Sequence, residues 1–326
     1  MSEDGPRPLG HGIHVIPVPL PFPGLRWVNS YVIEGDDEIT MIDCGVDSSD
    51  GLAAISVGLS VLGLADAPVG RLIGTHLHID HVGVAPRLVG DEGWRLVMHQ
   101  RVPSLIDRYN DPARFVRETA AMAARHGAPP DEVAELSTMD PIPDYFLPAE
   151  PPAETVEDGD RIPLGSGRYL EVIHTPGHEA AHICLRDSRT GVLFAGDHLL
   201  PRITPVIMWR DEDDDPLGDY LGGLDRLVEI DAGITYPAHG ATIDRGAARA
   251  AQIRSHHRRR LDDAAALVAA GPMTGWTMMG RLFRPHLITF EKRLALRETL
   301  SHLEHLRRVG RVGSFTEDGV IWYRRS

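Results

Sequence analysis

The sequence predicts an α+β protein whose short apolar strands end in histidine and aspartate. Three observations carry this. The run Thr75-His76-Leu77-His78-Ile79-Asp80-His81 follows the apolar pattern Arg71–Thr75, so a cluster of polar side chains leaves the C-terminal end of a buried strand. Three later strand patterns end the same way, at His178, Asp197 and His239. Segments with helix-start signals and helix-forming composition occupy residues 101–150 and 247–308, and a hairpin pattern follows them.

Taken in order, the apolar stretch Leu52–Ala65 is too short to span a bilayer and predicts a core helix. The first cluster comes next. In an extended chain His76 and His78 share one side, while Asp80 and His81 lie one turn further on and can face a second ion. Three imidazoles and a carboxylate within six positions are more than one tetrahedral ion uses while keeping an open position, which points to two metals. His99 ends the strand pattern Trp94–Met98, and a structural role is expected for it.

Residues 101–152 predict a helical insertion near the ligand loops, a candidate lid. Asp111 starts one helix that ends near Gly127, and Pro129 begins another. Tyr109, Phe115, Met122, Tyr145 and Phe146 are its candidate pocket residues, with core packing as the alternative. The strand pattern Tyr169–Ile173 leads into His174-Thr-Pro-Gly-His178, where Pro-Gly forces a tight turn that can aim His178 back at the first cluster. His174 ends one strand and His182 begins another, so no helix places them on one face with His178, and His174 is read as packing or as a support behind the ligands, with metal ligation as the alternative. Gly191–Asp197 and Gly233–His239 repeat the strand-then-ligand pattern, and His198 beside Asp197 stays open.

The tail has Leu at 294, 296, 300, 303 and 306 in a helix over 289–308, then a hairpin across Glu317-Asp318-Gly319. From Arg249 onward there are 15 basic and 7 acidic residues, leaving 18 basic and 40 acidic before it, so a boundary is placed at 248/249. Cys44 and Cys184 both sit in strand-like runs and form no disulfide framework. The start Met1-Ser-Glu-Asp-Gly-Pro is polar and acidic, unlike a secretory signal, and a reducing, cytoplasmic setting without a membrane is expected.

The order His-x-His-x-Asp-His, Thr-Pro-Gly-His, Gly-Asp and Pro-x-His-Gly resembles the metallo-β-lactamase-fold hydrolases over residues 12–245. The resemblance implies an αββα sandwich in residues 1–248. It also implies that His76, His78 and His178 hold one metal, that Asp80, His81 and His239 hold a second, and that Asp197 bridges them. Trp27–Glu34 and Ile39–Gly45 are similar to the opening hairpin of that fold, in which Asp43 supports the metal loop; a plain turn role is the alternative. The tail, 249–326, resembles a winged-helix module.

The expected cofactors are two divalent ions, zinc first, with iron or manganese compatible with the mixed donor set. Such ions, about 3.5–4 Å apart, activate a shared water without a serine or cysteine nucleophile, and Asp80 is the candidate catalytic residue that orients it. The Thr-Pro-Gly-His turn is similar to glyoxalase-II-like enzymes, so a thioester, ester or lactone is the expected substrate. Arg202, which can reach the metal cleft or hold a plain surface role, and Tyr109 are its candidate contacts. Metal-dependent RNA cleavage using the basic tail, and a catalytically silent binding protein, are the alternatives. A homodimer is a further expectation.

Overall fold

The computed structural model describes residues 5–22, 24–139, 151–210 and 214–326. Seven strands form the first sheet in chain order: β1 (Arg7–Gly10), β2 (Ile13–Phe22), β3 (Leu25–Glu34), β4 (Ile39–Ile42), β5 (Val69–Ile73), β6 (Arg95–His99) and β7 (Glu154–Val156). The first four pair antiparallel, and β4 to β7 run parallel. Parallel neighbours need crossovers. These are α1 (Ser49–Val61), then α2 (Ile79–Val82) with α3 (Ala85–Glu92), then α4 (Val102–Tyr109), α5 (Pro112–Arg125) and α6 (Pro130–Leu136).

A second sheet contains β8 (Arg161–Gly165), β9 (Arg168–His174), β10 (Ile183–Asp187), β11 (Leu193–Gly196) and β12 (Thr235–Pro237), in the spatial order β12-β11-β10-β9-β8. The period-2 pattern of the strands sorts the core. Ile13, Val15, Tyr31 and Ile33 meet Leu170, Val172, Ile183 and Leu185 between the sheets. Ile16, Val18, Val28 and Val32 point the other way, toward Ile55 and Leu59 of α1 and Leu88 of α3. The outer face of the second sheet is covered by α7 (Pro216–Glu229) and α8 (Gly246–Ala270). The expected αββα sandwich is therefore present. Cys44 and Cys184 lie buried on opposite outer faces of it, too far separated by two sheets to pair. The expected core helix at 52–65 is α1, and only one side of it is core: Val57 and Val61 are exposed.

After α8 come β13 (Met273–Thr274), α9 (Gly275–Leu282), α10 (Thr289–Arg308), β14 (Val312–Glu317) and β15 (Val320–Arg325). The Asp318-Gly319 turn has φ of 49° and 79°, the left-handed pair that a two-residue hairpin turn requires. β15 pairs on its other edge with β13.

The tail is not packed as a separate object. One hydrophobic cluster runs from Ala120, Met122 and Leu136 of the insertion through Ile173 and Cys184 to Leu296, Leu300, Val312 and Tyr323. The sequence boundary at 248/249 falls inside the first turn of α8. Many tail arginines are engaged internally. Arg293 donates to Leu136 O and Thr138 O, Arg307 and Arg308 pair with Glu304, and Arg260 lies over the Phe283 ring.

Glu298 of α10 is buried with its carboxylate 3.9 Å from Arg260 and its carbonyl accepting from His302 Nδ1. Burial, against the pull of Arg260, pushes its carboxyl up to about 7. A carboxyl raised in the folded state stabilises the fold below its unfolded value, near 4.3, and that contribution is lost as pH rises through the folded value. Urea unfolding of Glu298→Gln beside wild type should therefore show a gap favouring Gln that grows by roughly 2–3 kcal/mol between pH 5 and pH 8.5. A gap that does not change with pH would show that Glu298 is ionised throughout.

Candidate metal centre

Every member of the sequence-predicted ligand set meets at one end of the sandwich. His76 follows β5, and His78 is the N-cap of α2, whose single turn turns Asp80 and His81 toward a second position. His178 follows β9, Asp197 follows β11 and His239 follows β12.

The donor atoms fall into two groups. His76 Nε2 and His78 Nδ1 are 2.9 Å apart, and His178 Nε2 is 3.1 Å from His78 Nδ1. On the other side, His239 Nε2 is 3.3 Å from Asp80 Oδ2, and His81 Nε2 is 3.8 Å from the same oxygen. Asp197 lies between them. Its Oδ2 is 3.6 Å from His178 Nε2, whereas its Oδ1 is 3.7 Å from His81 Nε2 and 3.5 Å from His239 Nε2.

Hydrogen bonds behind the cluster fix which nitrogen faces inward in four of the five rings. His178 Nδ1 donates to Val206 O at 2.8 Å and His239 Nδ1 to Trp27 O at 3.0 Å. His81 Nδ1 donates to Asp43 Oδ2 at 2.8 Å. Asp43 also accepts from Thr75 N and Thr75 Oγ1, leaving that hydroxyl oxygen to accept from His76 Nδ1 at 3.1 Å. Asp43 therefore anchors the loop from behind, as the resemblance implied, and it does so at a left-handed φ of 57°. Each inward nitrogen is left with a lone pair.

Lone pairs converging at about 3 Å repel unless a cation sits among them. The buried atoms His81 Nε2, His239 Nε2 and Asp197 Oδ1 have no hydrogen-bond partner among the described residues. This donor set of five imidazoles and two carboxylates fits two divalent ions. The ionisation states agree. Burial, with His81 and His78 nearby, holds His76 well below the usual imidazole range, and burial with His178 pushes His78 down to about 3. Burial would raise Asp197, but His239 and His81 outweigh it and hold the carboxylate ionised.

Backbone shape is part of the site. Gly196 has φ 49°, and a Cβ there would lie 2.6 Å from His182 Nε2 and 3.0 Å from Thr75. Gly177 has φ 129°, and its Cβ would meet Tyr220 Cβ at 2.4 Å, so the expected Pro-Gly turn can carry no side chain. Asn29 Nδ2 donates to Pro237 O and Gly240 O, and Tyr31 donates to Pro237 O, holding the His239 loop against β3.

Four other histidines near the cluster are supports. His182 Nε2 accepts from Asp197 N at 3.1 Å while its Nδ1 donates to Thr175 Oγ1. His174 stacks on His99 at 4.0 Å. His198 packs on the Tyr220 ring at 4.7 Å and fills the space over Gly223.

Tyr109 packs against the first core layer with its ring 6.0 Å from His78. Arg202 does not border the metal cluster: it is exposed and lines a recess against α8. The arginine beside the cluster is Arg210, which sequence reading missed. Its guanidinium donates to His178 O at 2.8 Å and to the Tyr109 hydroxyl, and it faces the buried carboxylate of Glu179. Nothing periodic marks the loop 200–210, so no sequence signal singled it out. Phe115 lies under the Arg297 guanidinium and Met122 is core, so neither lines a pocket. Tyr145 and Phe146 lie outside the described residues.

Residues 23–239 match the model of the Metallo-beta-lactamase superfamily, and residues 261–326 match that of the Metallo-beta-lactamase-like, C-terminal domain. The chain is 24% identical over 325 residues to the probable metallo-hydrolase YqjP of Bacillus subtilis, covering 95% of this chain and 96% of that one. It is 29% identical over 264 residues to the human acyl-coenzyme A thioesterase MBLAC2, covering 77% and 85%. A beta-lactamase domain protein from Burkholderia ambifaria superposes with a TM-score of 0.82 at 30% identity, covering 100% of this chain and 95% of that one. With its ligand loops in the order and places described, the chain belongs to the metallo-beta-lactamase superfamily.

Proposed function

We propose that this protein is a dinuclear metal-dependent hydrolase of thioesters, with acyl-coenzyme A or acyl-glutathione as the substrate class. The observation that carries the reading is Asp197, whose two oxygens face different triads. A carboxylate so placed would serve two ions at once. His76, His78 and His178 would hold one, and Asp80, His81 and His239 the other. When bound, such a pair lowers the pKa of water and polarises a carbonyl oxygen.

The chain's own residues do the rest. Asp80 belongs to one triad only, so its second oxygen is the acceptor that orients the attacking water. Tyr109 and Arg210 border the first triad, where a substrate carbonyl would lie. Neither thiol competes as a nucleophile. Burial pushes Cys184 up to about 12 and Cys44 well above the ordinary thiol range, so both stay protonated. Among the described residues no helix is long and apolar enough to cross a membrane.

The thioester class rests on the likeness to the thioesterase MBLAC2, while the likeness to the metallo-hydrolase YqjP supports metal-dependent hydrolysis without naming a substrate. An RNA substrate is less well supported, because the tail charge that suggested it is largely engaged within the fold. The element order α8-β13-α9-α10-β14-β15 supports reading the tail as a winged-helix-like module that packs on the catalytic layer.

Metal analysis followed by a panel of acyl-coenzyme A, acyl-glutathione, lactone and single-stranded RNA tests the proposal. Close to two ions per chain and chelator-sensitive cleavage of a thioester are expected. Cleavage of RNA alone would overturn the substrate class, and a protein without metal would overturn the mechanism.

A further inference from the structure

We propose that the recess between the 200–204 turn and the first half of α8 binds the phosphate-bearing nucleotide end of a coenzyme A thioester, outside the metal cluster. This rests on the thioester reading and adds a second point of recognition to it. The recess has a volume of about 470 Å³ and is lined by Arg202, Thr204, Arg249, Gln252, His256 and Arg259, with Ile203 and Ile253 beside them. Among the described residues no carboxylate lines it. That is unexpected in a chain with a net charge of −14, and it makes the recess a basic spot on an acidic protein.

Its cations are not all committed elsewhere. Arg202 and Arg259 are exposed and have no hydrogen-bond or ion-pair partner among the described residues. Arg249 is fixed in place: its Nε donates to Leu200 O at 2.7 Å and its Nη2 to Ile203 O at 2.8 Å, which sets the shape of the turn. His256 is depressed by burial and by Arg260, Arg259 and Arg249, so it offers a neutral imidazole among positive charges. The adjoining lobe along α8 is edged by Asp262 and Asp263, and Asp262 is paired with Arg311. Guanidinium forks match phosphate oxygens bidentately, and Thr204, Gln252 and His256 supply the neutral donors and acceptors that a base or ribose needs.

Position joins the recess to the cluster. The turn begins three residues after Asp197, and Pro201 packs on Gly240, next to His239, so closely that a Cβ at Gly240 would lie 2.8 Å from Pro201 Cγ. One wall of the recess is thus the outer side of the loop that carries the bridging carboxylate. An elongated ligand with phosphates at one end and a thioester at the other suits this arrangement. A compact substrate would leave the outer arginines unused.

Calorimetry with adenosine 3′,5′-bisphosphate on the intact protein and on an Arg202→Ser, Arg259→Ser double variant tests the recess without any turnover. Binding to wild type that weakens at least about tenfold in the variant is expected from the loss of two charge-assisted contacts. In parallel, the preference for an acyl-coenzyme A over the same acyl group on pantetheine, measured as kcat/KM, should fall by a similar factor. No binding to wild type, or equal binding to both proteins, overturns the proposal. So does a labelled single-stranded RNA that the variant loses and the bisphosphate cannot displace. If the bisphosphate binds and is lost as expected but no thioester is cleaved, the recess stands as a phosphate site and the thioesterase reading falls.

Discussion

Replacing Asp197 by Ala is expected to remove both metals together and to lower turnover by about a thousandfold or more, since paired ions supply several kcal/mol of transition-state stabilisation. The geometry explains why this residue should matter more than any other ligand. Its Oδ2 faces His178 in one triad, and its Oδ1 faces His81 and His239 in the other. Without the carboxylate, the inward imidazoles of both triads face one another with no negative charge between them. Asp80→Ala is the control. Asp80 contacts only the second triad, so that variant should retain one ion on His76, His78 and His178. Elemental analysis of the two purified variants reads the difference directly. Two ions retained in the Asp197 variant would sink the bridging assignment, and two ions with normal turnover in the Asp80 variant would sink the two-site reading of the loop.

The ligand set was legible in the sequence for a physical reason. Strands buried on both faces read as continuous apolar runs, and a His or Asp that ends such a run cannot be core, so its position at a sheet end follows from pattern alone. Asp43 was legible only as one of two readings, because a carboxylate in a turn and a carboxylate behind a metal loop look alike until Thr75 and His81 are seen donating to it. Arg202 was legible only as a choice between the metal cleft and the surface. Nearness to Asp197 in sequence says nothing about direction once the chain turns at Pro201, and the turn sends Arg202 to α8. Arg210 reaches the cluster from a loop without repeating pattern.

The tail was the least legible part. Its Leu spacing predicted α10 correctly over 289–308, and the hairpin that follows was placed at the right turn. What composition could not show is that Arg293 and Arg297, four residues apart on that helix, are buried. Arginine counted as solvated charge suggests a surface for polyanions, whereas arginine that satisfies carbonyls inside the fold is part of the core. Whether the charge faces out or in depends on the partner helices, and those come from the insertion more than 150 residues earlier.

Arg297→Met is accordingly expected to have the largest effect of any change remote from the metal cluster, on stability and on metal affinity alike. Its Nε donates to Thr119 Oγ1 at 2.7 Å, its Nη1 to Trp209 O at 3.2 Å, its Nη2 lies 3.7 Å from Glu118, and the guanidinium lies over the Phe115 ring. Trp209 N donates back to Arg297 O, so α10 and the 206–210 loop are bonded in both directions. That same loop presents Val206 O to His178 Nδ1 and Arg210 to His178 O. The connection from α10 to a candidate metal ligand is thus two contacts long.

Methionine fills similar volume and makes none of the polar bonds, and Glu118 keeps Arg108 and Arg114, so the loss should be roughly 2–4 kcal/mol rather than the larger cost of stranding a buried charge. Groups that orient a ligand imidazole affect metal affinity by about 10–100-fold when removed, and an indirect support should fall near the lower end, about tenfold at the first triad. Urea unfolding gives the first quantity, and competition with a coloured chelator gives the second. Arg297→Lys restores charge without the planar fork and should recover only part of either. A variant that loses stability while binding both ions with unchanged affinity would show that α10 supports the fold without reaching His178.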